Sequence, residues 1–262
     1  MEIKYIHYEI KIVDPLRKGP AETADRFPGI TGKAKGNHTM MPNVSYPVPI
    51  SEMRERYLKL YSGAVNDVMR FDYHVNAALP SCYLPLREKM KLCGQAFTIK
   101  GAPDITTDGE FEMRAQMLEE LPEDSVVMFD CTGDTVTAQW GEVMSKAALR
   151  AGCRGAFVNG IRDTEAILEL GFPVFHIYRT NVGMLGRFRM FHYQKPVRIG
   201  EVTIHPGDWI FGDIDGVICI PASEAYTVLL KAEAILRKEV TIRQMVDSGM
   251  KPTQVVKNGG YF

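Results

Sequence analysis

The chain predicts an α/β fold, and three observations predict it. Between residues 93 and 178, short apolar runs alternate with amphipathic segments of helical length, the pattern of a sheet with crossover helices. Between 197 and 220, brief apolar runs are separated by turns marked with Gly, Pro and Asp, the pattern of an antiparallel section. The 262 residues, 45% apolar and 24% charged, suit one large globular domain or one domain with an appendage.

Taken in order, residues 3–13 roughly alternate apolar and polar and predict an edge strand. Residues 14–50 carry Pro15, Pro20, Pro28, Pro42, Pro47 and Pro49 with several glycines, and proline removes the backbone donors that regular structure needs. The chain therefore divides into an N-terminal extension over 1–50 and a main domain over 51–262. The extension reads equally as an arm wrapping this subunit or a neighbour and as a partly disordered leader. Ser51 can cap a helix over 52–61, with Glu52 suiting the helix dipole, although Arg54 leaves the reciprocal capping box incomplete. Residues 65–70 predict a second short helix.

The alternating section follows. Strands are expected over 93–99, 125–129, 155–158 and 173–178. Helices are expected over 110–121, with Met113, Met117 and Leu121 on one face, over 142–151, closed by Gly152, and over 162–170, with Asp163 and Thr164 as cap candidates. A mostly polar loop, 131–140, joins the second strand to the second helix. Residues 179–195, rich in arginine and aromatics, read as irregular. Short strands over 197–199, 202–204, 209–211 and 216–220 flank turns at Gly200-Glu201, Pro206-Gly207-Asp208 and 212–215. A long helix over 222–247 follows.

Several function classes are excluded by composition and motif. The formal charge of −1 and the absence of a Lys/Arg run argue against a nucleic-acid partner. Five scattered cysteines without a C-x-x-C pair argue against zinc and fit reduced thiols in the cytosol, with Cys153 and Cys219 read as core residues. The charged start Met1-Glu2-Ile3-Lys4 is not a secretory signal, and no run of about 18 apolar residues predicts a membrane span. A cytoplasmic protein without a membrane partner is expected. No G-x-G-x-x-G fingerprint, P-loop or nucleophile elbow occurs.

The chemistry-bearing residues lie at two places. Gly141-Glu142 marks a helix start, where the first amides, including those of Val143 and Met144, lack internal partners and suit a carboxylate or phosphate. Twenty residues after Glu142, Arg162 and Asp163 follow the strand at 155–158, at the strand end where ligands of α/β sheets gather. Arg162 offers a bidentate fork for a carboxylate, and Asp163 a hard oxygen ligand for Mg²⁺ or Mn²⁺. The plainer reading of each stays open: an ordinary helix start, a helix cap and a surface ion pair. Because the helix and the strand are adjacent in an αβ pair, both sets fall on one sheet edge.

Those residues belong to an ordered series: Gly141-Glu142, Ala148, Gly152, Gly155, Asn159-Gly160-Ile161-Arg162-Asp163, Gly171-Phe172-Pro173-Val174-Phe175, Pro206-Gly207-Asp208 and Gly212-Asp213-Ile214-Asp215-Gly216-Val217. Over roughly residues 57–240 the chain resembles the RraA-like family, which includes the 4-hydroxy-4-methyl-2-oxoglutarate/4-carboxy-4-hydroxy-2-oxoadipate aldolases. The resemblance implies an α-β-β-α sandwich of the swivelling type, homotrimers or homohexamers with sites between subunits, and 51–262 as a catalytic domain. It implies a class II, metal-dependent pyruvate aldolase acting on a small 2-oxo acid, often also an oxaloacetate decarboxylase. Arg162 matches the substrate-binding arginine, Asp163 the metal-anchoring aspartate, and Glu142 an acidic position that holds waters around the metal. Gly141 and the amides of Val143 and Met144 would hold the substrate carboxylate. This chain's Gly-Ile-Arg-Asp is one residue shorter than family members often have before the Arg-Asp pair.

A Schiff-base lysine, Lys100 or Lys146, is the lesser alternative, since an i,i+4 pair explains Lys146 beside Glu142. His176, His192 and His205 lack ligand spacing. Residues 179–193 read either as a lid over the distal substrate or as a solvated loop or subunit contact, and Asp67 as a helix-surface carboxylate. The rival function is a non-enzymatic regulator that binds an RNA-degrading endonuclease, as some members of the family do. Glu142 and Asp163 together favour the lyase, because a regulator has no need of an acidic set.

Overall fold

The computed structural model describes residues 44–262. Helices α1 (Ile50–Tyr57) and α2 (Ser62–Asp72) come first, then strands β1 (Leu84–Pro85) and β2 (Leu92–Pro103). The alternating section runs α3 (Glu110–Glu119), β3 (Ser125–Asp130), α4 (Glu142–Arg150), β4 (Ala156–Phe157), β5 (Gly160–Ile161), α5 (Thr164–Leu170) and β6 (Val174–His176). Then follow β7 (Tyr178–Arg179), β8 (Phe188–Tyr193), the hairpins β9 (Val197–Ile199)–β10 (Val202–Ile204) and β11 (Trp209–Asp213)–β12 (Gly216–Ile220), α6 (Ala225–Asp247) and α7 (Pro252–Lys257).

The main sheet has the order β1-β6-β4-β3-β2-β11-β12, with β8 added on the far end of β2. β2, β3, β4 and β6 are parallel, as helical crossovers require, whereas β1, β8, β11 and β12 run antiparallel to their neighbours. One edge of β2 serves two partners: Leu92–Gln95 pairs with β11 and Ile99–Pro103 with β8. The register slips between Lys100 and Gly101, where a Cβ on Gly101 would stand 2.4 Å from the Phe188 ring. Glycine there lets β8 close onto the sheet.

Alternation along β3 builds the layers. Val127 and Phe129 point into the core shared with Met117 of α3, Ala148 of α4 and Ile167 of α5. Val126 and Met128 point to the other face, onto Val197, Ile199, Val202 and Ile204 of the β9–β10 hairpin. A third core joins α1, α2 and α6 to Trp209, Phe211, Ile218 and Ile220. The layering is the expected α/β sandwich. No helix among the described residues is long and apolar enough to cross a membrane.

Several expectations shift in detail. The edge strand at 3–13 and the extension up to residue 43 lie outside the described residues. The first helix begins at Ile50 behind Pro49, so Ser51 is not its cap, and it ends at Tyr57. Asp163 stands at the cap position of α5 yet makes no side-chain cap bond. The irregular stretch at 179–195 contains β8, whose Phe188 and Met190 are buried while Phe191 faces out. Gly212–Gly216 is the hairpin turn expected of it.

Candidate functional site

The loop before α4 is pinned along β5. Trp140 and Ile161 form a parallel bridge, and the Trp140 carbonyl accepts the Arg162 amide at 3.1 Å. The Gln139 amide donates to the Gly160 carbonyl at 3.0 Å, while the Gln139 side-chain oxygen accepts the Gly160 amide at 2.7 Å. Gly141 is thereby brought against the Arg162–Asp163 pair. A Cβ on Gly141 would stand 2.8 Å from Asp163 Oδ2 and 3.4 Å from Arg162 Cγ. A Cβ on Gly183 would stand 2.9 Å from Arg162 Nη1. Two glycines thus make room for the two charged side chains.

Asp163 itself is set in an unusual way. Its backbone is left-handed, φ 55 and ψ 37. A helix cap normally takes extended backbone and turns its oxygen onto the helix amides; Asp163 does neither. Its Oδ2 instead accepts from Arg162 Nε at 3.2 Å, and the two side chains remain 42% and 47% exposed. Left-handed backbone is tolerated by Asp but is uncommon outside turns and sites. The carboxylate makes no cap bond, pairs with Arg162 and is partly open to solvent.

Gly141 is extended and offers no side-chain cap to α4, so the first amides of that helix lack partners within it. Those of Val143 and Met144 are among them. The Val143 side chain is exposed and that of Met144 packs on the core, so only their backbone belongs to the site. Glu142 faces Lys146 at 4.0 Å, the expected i,i+4 pair, with its side chain 27% exposed. A cleft of about 530 Å³ is lined by Ile161, Arg162, Asp163, Thr164, Arg179, Thr180 and Asn181. Glu142 stands outside that lining, and Asp67 lies on α2 and does not contribute to it either.

Beneath the cleft is a polar network that the sequence reading leaves as a plain loop. Asp134, Thr137 and Gln139 are buried. Asp134 Oδ2 accepts the Thr137 amide at 3.0 Å, the Thr137 hydroxyl at 2.5 Å and the Gln139 side-chain amide. The Tyr178 hydroxyl lies 3.2 Å from the same oxygen. Asn159 donates to the Asp134 carbonyl at 2.9 Å and accepts from the Tyr83 hydroxyl at 2.7 Å. Trp140 donates its indole N–H to Ser145 at 2.9 Å and stacks on Phe172. The available signal was the density of Thr, Gln, Asp and Trp before Gly141: buried polar groups must be paired, and these pair with one another.

The remaining candidates fall elsewhere. Lys100 pairs with Asp130 at 2.6 Å in a second cleft with Tyr83, Thr132 and Arg198. Lys146 is exposed beside Glu142. His176 is buried, and burial followed by the charge of Arg179 lowers its pKa to about 4. His192 is lowered by burial and by Lys195. His205 is exposed beside Asp208 at 3.5 Å. Arg189 donates to Thr106 and to the Asp108 carbonyl and so fastens residues 104–108. Cys153 and Cys219 are buried core thiols, as expected.

Among the described residues no group of three or more His, Cys, Asp or Glu stands together as a metal cage. The cleft lining supplies one carboxylate, that of Asp163; Glu142 follows Gly141 at the start of α4, outside that lining. One or two carboxylates with waters and substrate oxygens is the usual donor set of Mg²⁺, and all-oxygen donors suit Mn²⁺ equally. The residues present fit such an ion.

A family model for RraA-like proteins (Aldolase/RraA) matches residues 63–219, more than half of the chain. "Protein DlpA" of Legionella pneumophila is 35% identical over 170 residues, 63% of this chain but only 27% of that relative's length. A Halalkalibacterium halodurans protein named "Putative 4-hydroxy-4-methyl-2-oxoglutarate aldolase" is 33% identical over 156 residues, 59% of this chain and 71% of that one. A solved structure called "Crystal structure of novel cellulases from microbes associated with the gut ecosystem" is 45% identical, covers 77% of this chain and 91% of its own, and superposes with a TM-score of 0.74. Streptomyces coelicolor RraAS2, called an unusual member of the RNase ES inhibitor RraA protein family, shares the fold at 24% identity and a TM-score of 0.66, covering 76% of this chain and 99% of its own. On its matched residues and its fold, the chain belongs to the RraA-like family.

Proposed function

We propose that the chain is a divalent-metal-dependent lyase, a class II pyruvate aldolase that cleaves a 4-hydroxy-2-oxo acid by retro-aldol chemistry and decarboxylates oxaloacetate at the same site. One observation carries this reading. Asp163 holds its carboxylate out of the capping role its position offers and presses it against Gly141 beside Arg162. A structural aspartate would cap α5. The relatives named as 4-hydroxy-4-methyl-2-oxoglutarate aldolases support the same chemistry.

Asp163, with Glu142, would hold Mg²⁺ or Mn²⁺, and the bound ion supplies Lewis-acid polarisation of the substrate carbonyl. Arg162 grips the carboxylate and carbonyl oxygens and stabilises the negative charge that grows on them as the C–C bond breaks. The free amides at the start of α4, those of Val143 and Met144, orient the C1 carboxylate. In the retro-aldol direction a proton must leave the C4 hydroxyl, and Glu142 orients the water that takes it. Decarboxylation needs no such base, because CO₂ departs instead. The protein would work as a homotrimer or homohexamer on a small-molecule substrate.

The test is pyruvate release from oxaloacetate and from 4-hydroxy-4-methyl-2-oxoglutarate with Mg²⁺, with Mn²⁺ and with EDTA. The reading expects metal-dependent release that disappears in Asp163→Ala. Full activity of that variant overturns the assignment. No release from either compound, together with capture of an RNA-degrading endonuclease, would instead support the regulator.

A further inference from the structure

We infer that Arg179 selects for dicarboxylates by taking the distal carboxylate of a 2-oxo acid held at Arg162 and Asp163. The inference rests on the reading of that site as a 2-oxo-acid site, and it names what the far end of the cleft recognises.

The placement is topological. β5 and β7 pair in parallel with Ile161 opposite Arg179, so Arg179 stands beside the residue preceding Arg162. Both arginines line the same cleft, with Thr180 and Asn181 next to Arg179. The two guanidinium groups are committed differently. Arg162 is paired with Asp163 at 3.2 Å. Among the described residues Arg179 is held by one nitrogen: its Nε donates to His176 Nε2 at 3.4 Å. Among the described residues no carboxylate forms an ion pair with it. Buried His176 stays neutral above its lowered pKa and remains an acceptor there. Among the described residues neither Nη group of Arg179 has a partner, and a guanidinium fork matches a carboxylate bidentately.

The charge balance points the same way. The lining contains two cations and one anion, Arg162, Arg179 and Asp163, before any metal is added. A monocarboxylate leaves Arg179 without a counter-charge, whereas a dicarboxylate supplies one. Thr180 and Asn181 add short polar side chains at the same end and no acidic group that would repel a carboxylate.

The experiment compares wild type with Arg179→Met and Arg179→Lys on oxaloacetate and 4-hydroxy-4-methyl-2-oxoglutarate, both dicarboxylates, and on 4-hydroxy-2-oxopentanoate, a monocarboxylate. Calorimetric titration with 2-oxoglutarate and 2-oxobutanoate in the presence of Mn²⁺ gives a second readout. Arg179→Met should raise KM for the dicarboxylates about 10- to 100-fold, with kcat little changed on 4-hydroxy-4-methyl-2-oxoglutarate but raised on oxaloacetate, whose distal carboxylate must leave Arg179 as neutral CO₂, and leave the monocarboxylate as in wild type. It should weaken 2-oxoglutarate but not 2-oxobutanoate, and Arg179→Lys should recover part of the loss. If wild type binds 2-oxo acids and Arg179→Met treats both kinds alike, the inference fails while the site reading stands. If wild type neither binds nor turns over any 2-oxo acid, the site reading fails and takes the inference with it.

Discussion

Lys100–Asp130 and Arg162–Asp163 are two cation–carboxylate pairs built in opposite ways. Lys100 and Asp130 meet at 2.6 Å, and the Asp130 side chain is only 8% exposed. Its second oxygen accepts the Thr132 amide at 3.0 Å and lies 3.3 Å from the Thr132 hydroxyl. Arg162 and Asp163 are chain neighbours at 3.2 Å, both partly open to water, and Asp163 sits on left-handed backbone. The first pair spends its lone pairs on the fold. In the second, the Asp163 carboxylate accepts from Arg162 alone among the described residues. An exposed ion pair contributes at most about 1 kcal/mol to stability, so its placement calls for another explanation than holding the fold together.

The sharpest way to break this contrast is to neutralise Asp163. Asn tolerates the same left-handed backbone, so Asp163→Asn removes charge without adding strain. We expect pyruvate release to fall about 100- to 1,000-fold while the melting temperature is unchanged. Next in size is a defect in the frame. Asp134→Ala leaves the Thr137 amide and the Gln139 side chain buried without their acceptor, and should cost about 3 kcal/mol in urea unfolding. Loss of turnover without loss of stability there would mean that the network serves chemistry and not support. A subtler change is Gly141→Ala. The backbone at Gly141 suits any residue, so only the clash with Asp163 Oδ2 matters. Turnover should drop about 10-fold with stability nearly intact. The smallest effect on turnover belongs to Lys100→Met: about 1–2 kcal/mol of stability and less than roughly threefold in rate. Abolished turnover in that variant, with borohydride trapping of substrate on wild type, would instead favour Schiff-base chemistry at Lys100.

The fold was legible where one physical signal dominated. The apolar run at 126–129 and the Gly-Asp-Ile-Asp-Gly turn carry strong local signals, and β3 and the β11–β12 hairpin follow them. β8 was hidden, because Arg189 and His192 interrupt the apolar pattern and Phe191 is an exposed aromatic; only its pairing with distant β2 makes it a strand. The first helix starts earlier than Ser51 suggests because Pro49, with its fixed φ, supplies the entry into α1. The short helix α7 carries a helix-start signal, Pro252 in its first turn. At the site, residue types were readable and spacing implied one sheet edge. What was not readable is tertiary: that Gly183 lies against the Arg162 guanidinium, that a polar loop is buried, and that β7 brings Arg179 beside Ile161. Those facts depend on residues far apart in the chain, and local pattern carries no record of them.

On the proposed function, Asp163 anchors a divalent ion at the Arg162 cleft. The most direct test is calorimetric titration of Mn²⁺ into wild type and into Asp163→Asn, each with oxalate present as a mimic of the substrate's carboxylate and carbonyl oxygens. Saturable binding by wild type, lost in Asp163→Asn at equal thermal stability, is the expected result. Equal binding by the two proteins would contradict it.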